Sequence, residues 1–81
     1  MVNKMMIEQT LIQQVYQNTG VPVNKVVKLE EVEPKLRHAC SVYGDIVALD
    51  VNYFPVHDIG VAPAFYFCQC CGTLYIQKDY M

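Results

Sequence analysis

Apolar residues recur at spacings of three and four near the start of the chain, at Met5, Ile7, Leu11, Ile12, Val15 and Tyr16. That period predicts an amphipathic helix from Lys4 to about Asn18, with Asn3 as its cap and Gly20 as its left-handed stop. Glu8 falls inside the apolar stripe and works against it. The next stretch, GVPVNKVVKLEEVEP, carries Pro22 where a second helix can open and Pro34 where it is expected to end or be interrupted. Val23, Val26, Val27 and Val32 would form its apolar side, so a second helix is expected. The same valines also suit a strand.

From Tyr43 onward the period changes. Gly44-Asp45 signals a turn. Val47, Leu49, Val51 and Tyr53 then alternate with Ala48, Asp50 and Asn52, the period of a strand with one buried face. Pro55, Gly60 and Pro63 mark a loop that contains His57. Ala64–Phe67 and Thr73–Ile76 read as two further strands. Eight of the nine aromatic residues lie in this half, which places the main sheet there. The expected fold is α+β: one or two N-terminal helices on a small antiparallel sheet of about three strands. A single domain is expected over residues 1–81, mainly helical over 1–34 and β-rich over 35–81.

Eighty-one residues bury little more than ~60% of their extended-chain surface, so an added staple would help the core. The net charge of −2 is unevenly spread. Lys4, Lys25 and Lys28 outweigh Glu8 before residue 29, and acidic residues dominate afterwards. Phosphate binding rests on clustered Lys and Arg, so the chain as a whole is not expected to bind nucleic acid. No segment has the layout of a secretory signal, and no stretch approaches the ~20 apolar residues of a membrane span. A reducing, cytoplasmic setting is therefore expected, where thiols and metal ligands are favoured over disulfides.

Composition gives way to chemistry at Phe67-Cys68-Gln69-Cys70-Cys71-Gly72, where three of the four cysteines cluster. Cys68 and Cys71 have the CxxC spacing that lets two thiolates face one ion from a tight turn. Gly72 allows the positive φ that aims backbone N–H groups at the sulfurs. With strands on both sides, the segment resembles one knuckle of a zinc ribbon or rubredoxin-like module. The resemblance implies a metal ion with a second pair of ligands. His38 and Cys40 are placed to supply them, because residues two apart on a strand share a face. Four such ligands suit one structural zinc ion. Cys70 and His57 are alternates. The competing reading is that the cysteines are reduced, buried core residues. A dithiol redox protein, or a soft-metal binder using vicinal Cys70-Cys71, is a further alternative.

The run LIQQVYQNTGVPVNKVVKL resembles a degenerate helix-turn-helix over residues 11–29. That resemblance implies DNA contacts from Gln17, Asn24, Lys25 and Lys28. Other chemistry finds no footing: Glu30, Glu31 and Glu33 read as a solvated surface, and the glycines form no phosphate loop. The expected function is a small, non-enzymatic, zinc-binding intracellular regulator or adaptor that binds another protein. The alternative is a DNA-binding regulator.

Overall fold

The computed structural model describes residues 4–53 and 64–77. Its first element is helix α1 (Lys4–Thr19). Leu11 and Val15 sit one turn apart and are buried. Gly20, at φ 74°, ends the helix as expected: its N–H donates to the Tyr16 carbonyl at 2.8 Å. Thr19 reinforces the stop, with its hydroxyl donating to the Val15 carbonyl and accepting from the Val21 N–H. The proposed cap Asn3 lies outside the described residues.

Six strands follow: β1 (Lys25–Leu29), β2 (Lys35–Cys40), β3 (Asp45–Asp50), β4 (Asn52–Tyr53), β5 (Ala64–Cys68) and β6 (Thr73–Gln77). They form a four-stranded sheet in the order β1-β6-β5-β4 and a separate two-stranded sheet, β2-β3. The class is α+β, with one helix among the described residues. Three expectations are corrected. The described residues form six strands in two sheets rather than about three in one. The segment after Gly20 is a strand rather than a second helix, and β1 pairs parallel with β6, so the sheet is mixed rather than antiparallel. The physical reason lies in the valines. As a strand, the segment sends Val26 into the core beneath α1 while its neighbour Val27 takes the other face, and both are half-buried.

The alternation over residues 47–53 is real but divided. Val47 and Leu49 are half-buried and Ala48 and Asp50 exposed, as the period predicts, whereas Tyr53 is exposed. At Val51 the chain changes sheets. The Val51 N–H donates to the Pro34 carbonyl at 3.0 Å, closing the base of the β2–β3 hairpin, and the next two residues pair with β5.

The four-stranded sheet has two differently used faces. Phe65 pairs with Ile76 and Phe67 with Leu74, and these four face α1 together with Val26. Leu11, Val15, Leu74 and Ile76 form the buried core. Glu8 is reconciled with this packing because it forms an ion pair with Lys28 of β1. The opposite face carries the pairs Tyr66–Tyr75 and Cys68–Thr73 and is covered by the β2–β3 hairpin. Tyr66 is fully buried there, and its hydroxyl both donates to the Glu33 carbonyl and accepts the Glu33 N–H. Among the described residues, no helix is long and apolar enough to cross a membrane.

Candidate metal centre

The apolar period marks no strand over Lys35–Cys40, although His38 and Cys40 are expected on one face of a strand; that strand, β2, delivers half of the site. Its inward positions are Leu36, His38 and Cys40; its outward ones are Lys35, Arg37 and Ala39. His38 and Cys40 are both buried, and they meet the turn that joins β5 to β6. His38, Cys40, Cys68 and Cys71 bring one nitrogen and three sulfurs together, all within 4.8 Å of one another. The Cys40 and Cys68 sulfurs are 3.8 Å apart, and His38 Nε2 lies 3.1 Å from Cys71 Sγ. A tetrahedron with sulfurs ~2.3 Å from its centre has sulfur–sulfur edges of about 3.8 Å. The donor set and its spacing therefore fit a zinc-sized ion.

The two turns that meet here have the same form. After Cys68, the Gly72 N–H donates back to the Cys68 carbonyl at 2.8 Å; after Cys40, the Gly44 N–H donates to the Cys40 carbonyl at the same distance. Both glycines have positive φ, at 77° and 82°. The Cys40 sulfur accepts the Tyr43 N–H at 3.3 Å, and in the other turn the backbone of Cys71 and Cys70 acts to lower the Cys68 thiol against the larger effect of burial. Cys40-Ser41-Val42-Tyr43-Gly44 is thus a second knuckle in which Tyr43 holds the second cysteine's position and His38 supplies the fourth donor. The sequence signal was a shared spacing, cysteine followed four residues later by glycine.

The knuckle of residues 68–72 is also braced from outside. The Asn24 N–H donates to the Gly72 carbonyl at 2.8 Å, and Asn24 Nδ2 donates to the Cys71 carbonyl at 3.2 Å. A Cβ at Gly72 would lie 2.6 Å from the Pro22 carbonyl oxygen and 2.7 Å from Asn24 Nδ2. The glycine is therefore required for close approach as well as for its dihedral angle.

Around the donors stands a set of partners that the sequence reading did not anticipate. His38 Nδ1 is 2.6 Å from the Tyr75 hydroxyl, and the two rings meet edge to face. Cys71 Sγ is 3.2 Å from the Thr73 hydroxyl. Thr73 and Tyr75 are the first and third residues of β6, so the strand carries both on the face that meets the hairpin. Electrostatics divide the thiols. The Tyr43 N–H, against the effect of burial, lowers the Cys40 thiol to about 7. Burial raises Cys71, but bonds from Thr73, His38 and Cys68 outweigh it and leave the thiol below its ordinary value. Burial keeps Cys68 above that value. Burial, then the charges of Cys71 and Cys68, hold Tyr75 in its protonated form.

Of the alternates, Cys70 is exposed and outside the four-residue cluster, and His57 lies outside the described residues. The residues suggested as DNA contacts do not assemble on a recognition helix. Gln17 is exposed on α1, Asn24 braces the knuckle, Lys25 is on the edge strand β1, and Lys28 is paired with Glu8. With a strand where a second helix was expected, the helix-turn-helix resemblance is overturned. The CxxC pair precedes a strand and lacks the helix N-terminus that activates dithiol oxidoreductases. Comparison with known protein families, curated proteins and solved structures finds no match to this chain.

Proposed function

We propose that the chain is a small, non-enzymatic zinc domain. One structural Zn²⁺ is held by His38 Nε2 and the sulfurs of Cys40, Cys68 and Cys71. The observation that carries this reading is the convergence of four donor atoms within 4.8 Å from two separate hairpin turns. Four protein ligands complete a tetrahedron and leave no position for a reacting water. With Nε2 committed to the metal, the ring proton sits on Nδ1 and is donated to the Tyr75 hydroxyl, an outer contact of the kind that fixes a ligating histidine. Native mass spectrometry tests the reading: one zinc per chain is expected, lost with a strong chelator. A chain that remains metal-free and folded in reduced, zinc-supplemented solution would overturn it.

The domain acts in this reading as an intracellular regulator or adaptor that docks on another protein. Support comes from the tip and outer face of the β2–β3 hairpin, where Val42, Tyr43 and Ile46 are exposed by 69%, 66% and 51%. Zinc fixes the shape of that tip without touching the side chains that would meet a partner. Replacing the three by Ser is expected to leave zinc binding intact and remove the proteins that co-purify with the chain. Recovery of the same proteins by the triple variant would discard this face.

A further inference from the structure

Helix α1 ends at Thr19 and β4 is two residues long, and where both stop the helix-covered face of the four-stranded sheet has a hollow. Asn52 pairs with Phe65 and Tyr53 with Ala64, so beside Phe67 the sheet has no further strand among the described residues. The hollow is a cavity of about 200 Å³, and none of its lining residues is a donor of the metal centre. Val15, Phe65 and Phe67 are its apolar lining, and both rings are half-buried rather than enclosed. Asn52 is the cross-strand partner of Phe65 and shares its face, and Gln69 continues the row of Phe65 and Phe67 just past the strand end. Asn18 meets them from the last turn of α1. Three carboxamides thus border two phenyl rings, and most of their hydrogen-bonding capacity is unused. The side-chain amides of Asn18 and Gln69 bond to no other described residue. Asn52 engages only Nδ2, which donates to the Asp50 carbonyl at 3.1 Å. The Thr19 hydroxyl is committed to the helix end. No ionisable side chain is among the described lining residues.

We propose that this cavity binds an uncharged nitrogen heterocycle of the nucleobase type, as a free base or nucleoside. The site goes beyond the zinc reading and does not rest on it. Its volume lies below the ~300 Å³ at which pockets begin to take drug-sized ligands, and suits a single ring system. The phenyl faces of Phe65 and Phe67 offer the stacking surface on which bases of any kind gain affinity. A carboxamide presents a donor and an acceptor side by side, the complement of a ring nitrogen next to an exocyclic amine, as in adenine and cytosine. Asn18 and Gln69 are the amides free to make that two-bond pair. With no cation in the lining and a net charge of −2 on the chain, a phosphate adds nothing to binding. The ligand is therefore the base itself, not a polyphosphate nucleotide or a polynucleotide. Gln69 stands between the donors Cys68 and Cys71, so a bound base touches the same turn that the metal fixes from its other side.

The test uses the full chain, isotope-labelled and supplied with Zn²⁺, titrated with adenine, cytosine, adenosine, AMP and benzyl alcohol and followed by amide NMR. Adenine or cytosine should shift the side-chain amide signals of Asn18, Asn52 and Gln69, with a Kd of about 0.1–1 mM for so small a ligand. Asn18→Ala and Gln69→Ala change exposed positions and should each weaken binding about 3–10-fold, with the rest of the spectrum unchanged. Phe67→Leu keeps an apolar side chain but removes the stacking face, and should weaken it about fivefold or more. Benzyl alcohol, a ring without the paired donor and acceptor, should bind about tenfold more weakly than adenine, and AMP no more tightly than adenosine. Absence of shifts at these residues with either base at about 5 mM overturns the proposal. So does equal binding of benzyl alcohol, tighter binding of AMP, or binding that Asn18→Ala and Gln69→Ala leave unchanged. Mass spectrometry of the same samples reads zinc content separately, so none of these failures touches the metal reading.

Discussion

His38 has one ring nitrogen for each of two tasks, and the side chains around it decide which does which. Nε2 points at the sulfurs and Nδ1 at the Tyr75 hydroxyl. Tyr75→Phe removes the acceptor and leaves the ring packing intact. Such outer contacts typically contribute 10–100-fold to metal affinity, so zinc binding should weaken by about that factor in a competition titration against a chromophoric chelator. Glycine offers a second contrast. Gly44 and Gly72 occupy equivalent turns, but a Cβ at Gly44 meets nothing within 4 Å, whereas one at Gly72 strikes the Pro22 carbonyl. Both substitutions by Ala carry the left-handed backbone penalty of roughly 1–2 kcal/mol, and Gly72→Ala adds the clash. Thermal denaturation of the zinc-loaded chain should therefore show the larger loss for Gly72→Ala. At this scale the CxxCG letters made one knuckle legible. The other was hidden because Tyr43 replaces the cysteine that defines the pattern, and only the four-residue spacing from Cys40 to Gly44 survives.

Elements were legible where one periodic signal acted alone. Helix α1, the stop at Gly20 and the β5–β6 hairpin follow from apolar spacing and turn residues. Strand β1 was misread because local preference is nearly balanced over Pro22–Pro34 and the deciding contact is remote: β6, some 48 residues later by the Lys25–Thr73 register. Strand β2 was legible only through its ligand pair, because the inward row Leu36, His38 and Cys40 of Lys35–Cys40 carries a histidine where an apolar alternation needs a hydrophobic residue. Asn24 shows how element and site are joined. It was read as a DNA contact and instead ties the entrance of β1 to the turn at Cys71 and Gly72. Asn24→Ala removes one exposed side-chain hydrogen bond and should cost about 0.5–1.5 kcal/mol in denaturant unfolding. It should also lower zinc affinity, which a purely local effect on β1 would not do.

The described residues form two unequal pieces with the site between them. The helix and four-stranded sheet have a core of their own in Leu11, Val15, Leu74 and Ile76. Leu74→Ala opens a cavity at its centre and should cost about 2–5 kcal/mol whether or not zinc is bound. The β2–β3 hairpin has no comparable reserve. Its inward residues Leu36, Val47 and Leu49 are only half-buried, and its two buried side chains, His38 and Cys40, are donors of the site. The hairpin is held to the sheet by the Tyr66–Glu33 bonds near one end and by the donor cluster at the other. Metal binding free energy is therefore expected to appear mainly as hairpin stability. Hydrogen exchange followed through a chelator titration should show this as an order of events. Amides of β2 and β3 should lose protection first, while those of α1, β5 and β6 persist to higher chelator or temperature. Simultaneous loss everywhere would mean that zinc stabilises one cooperative unit, and unchanged hairpin protection would mean that the four donors need no ion to stay together.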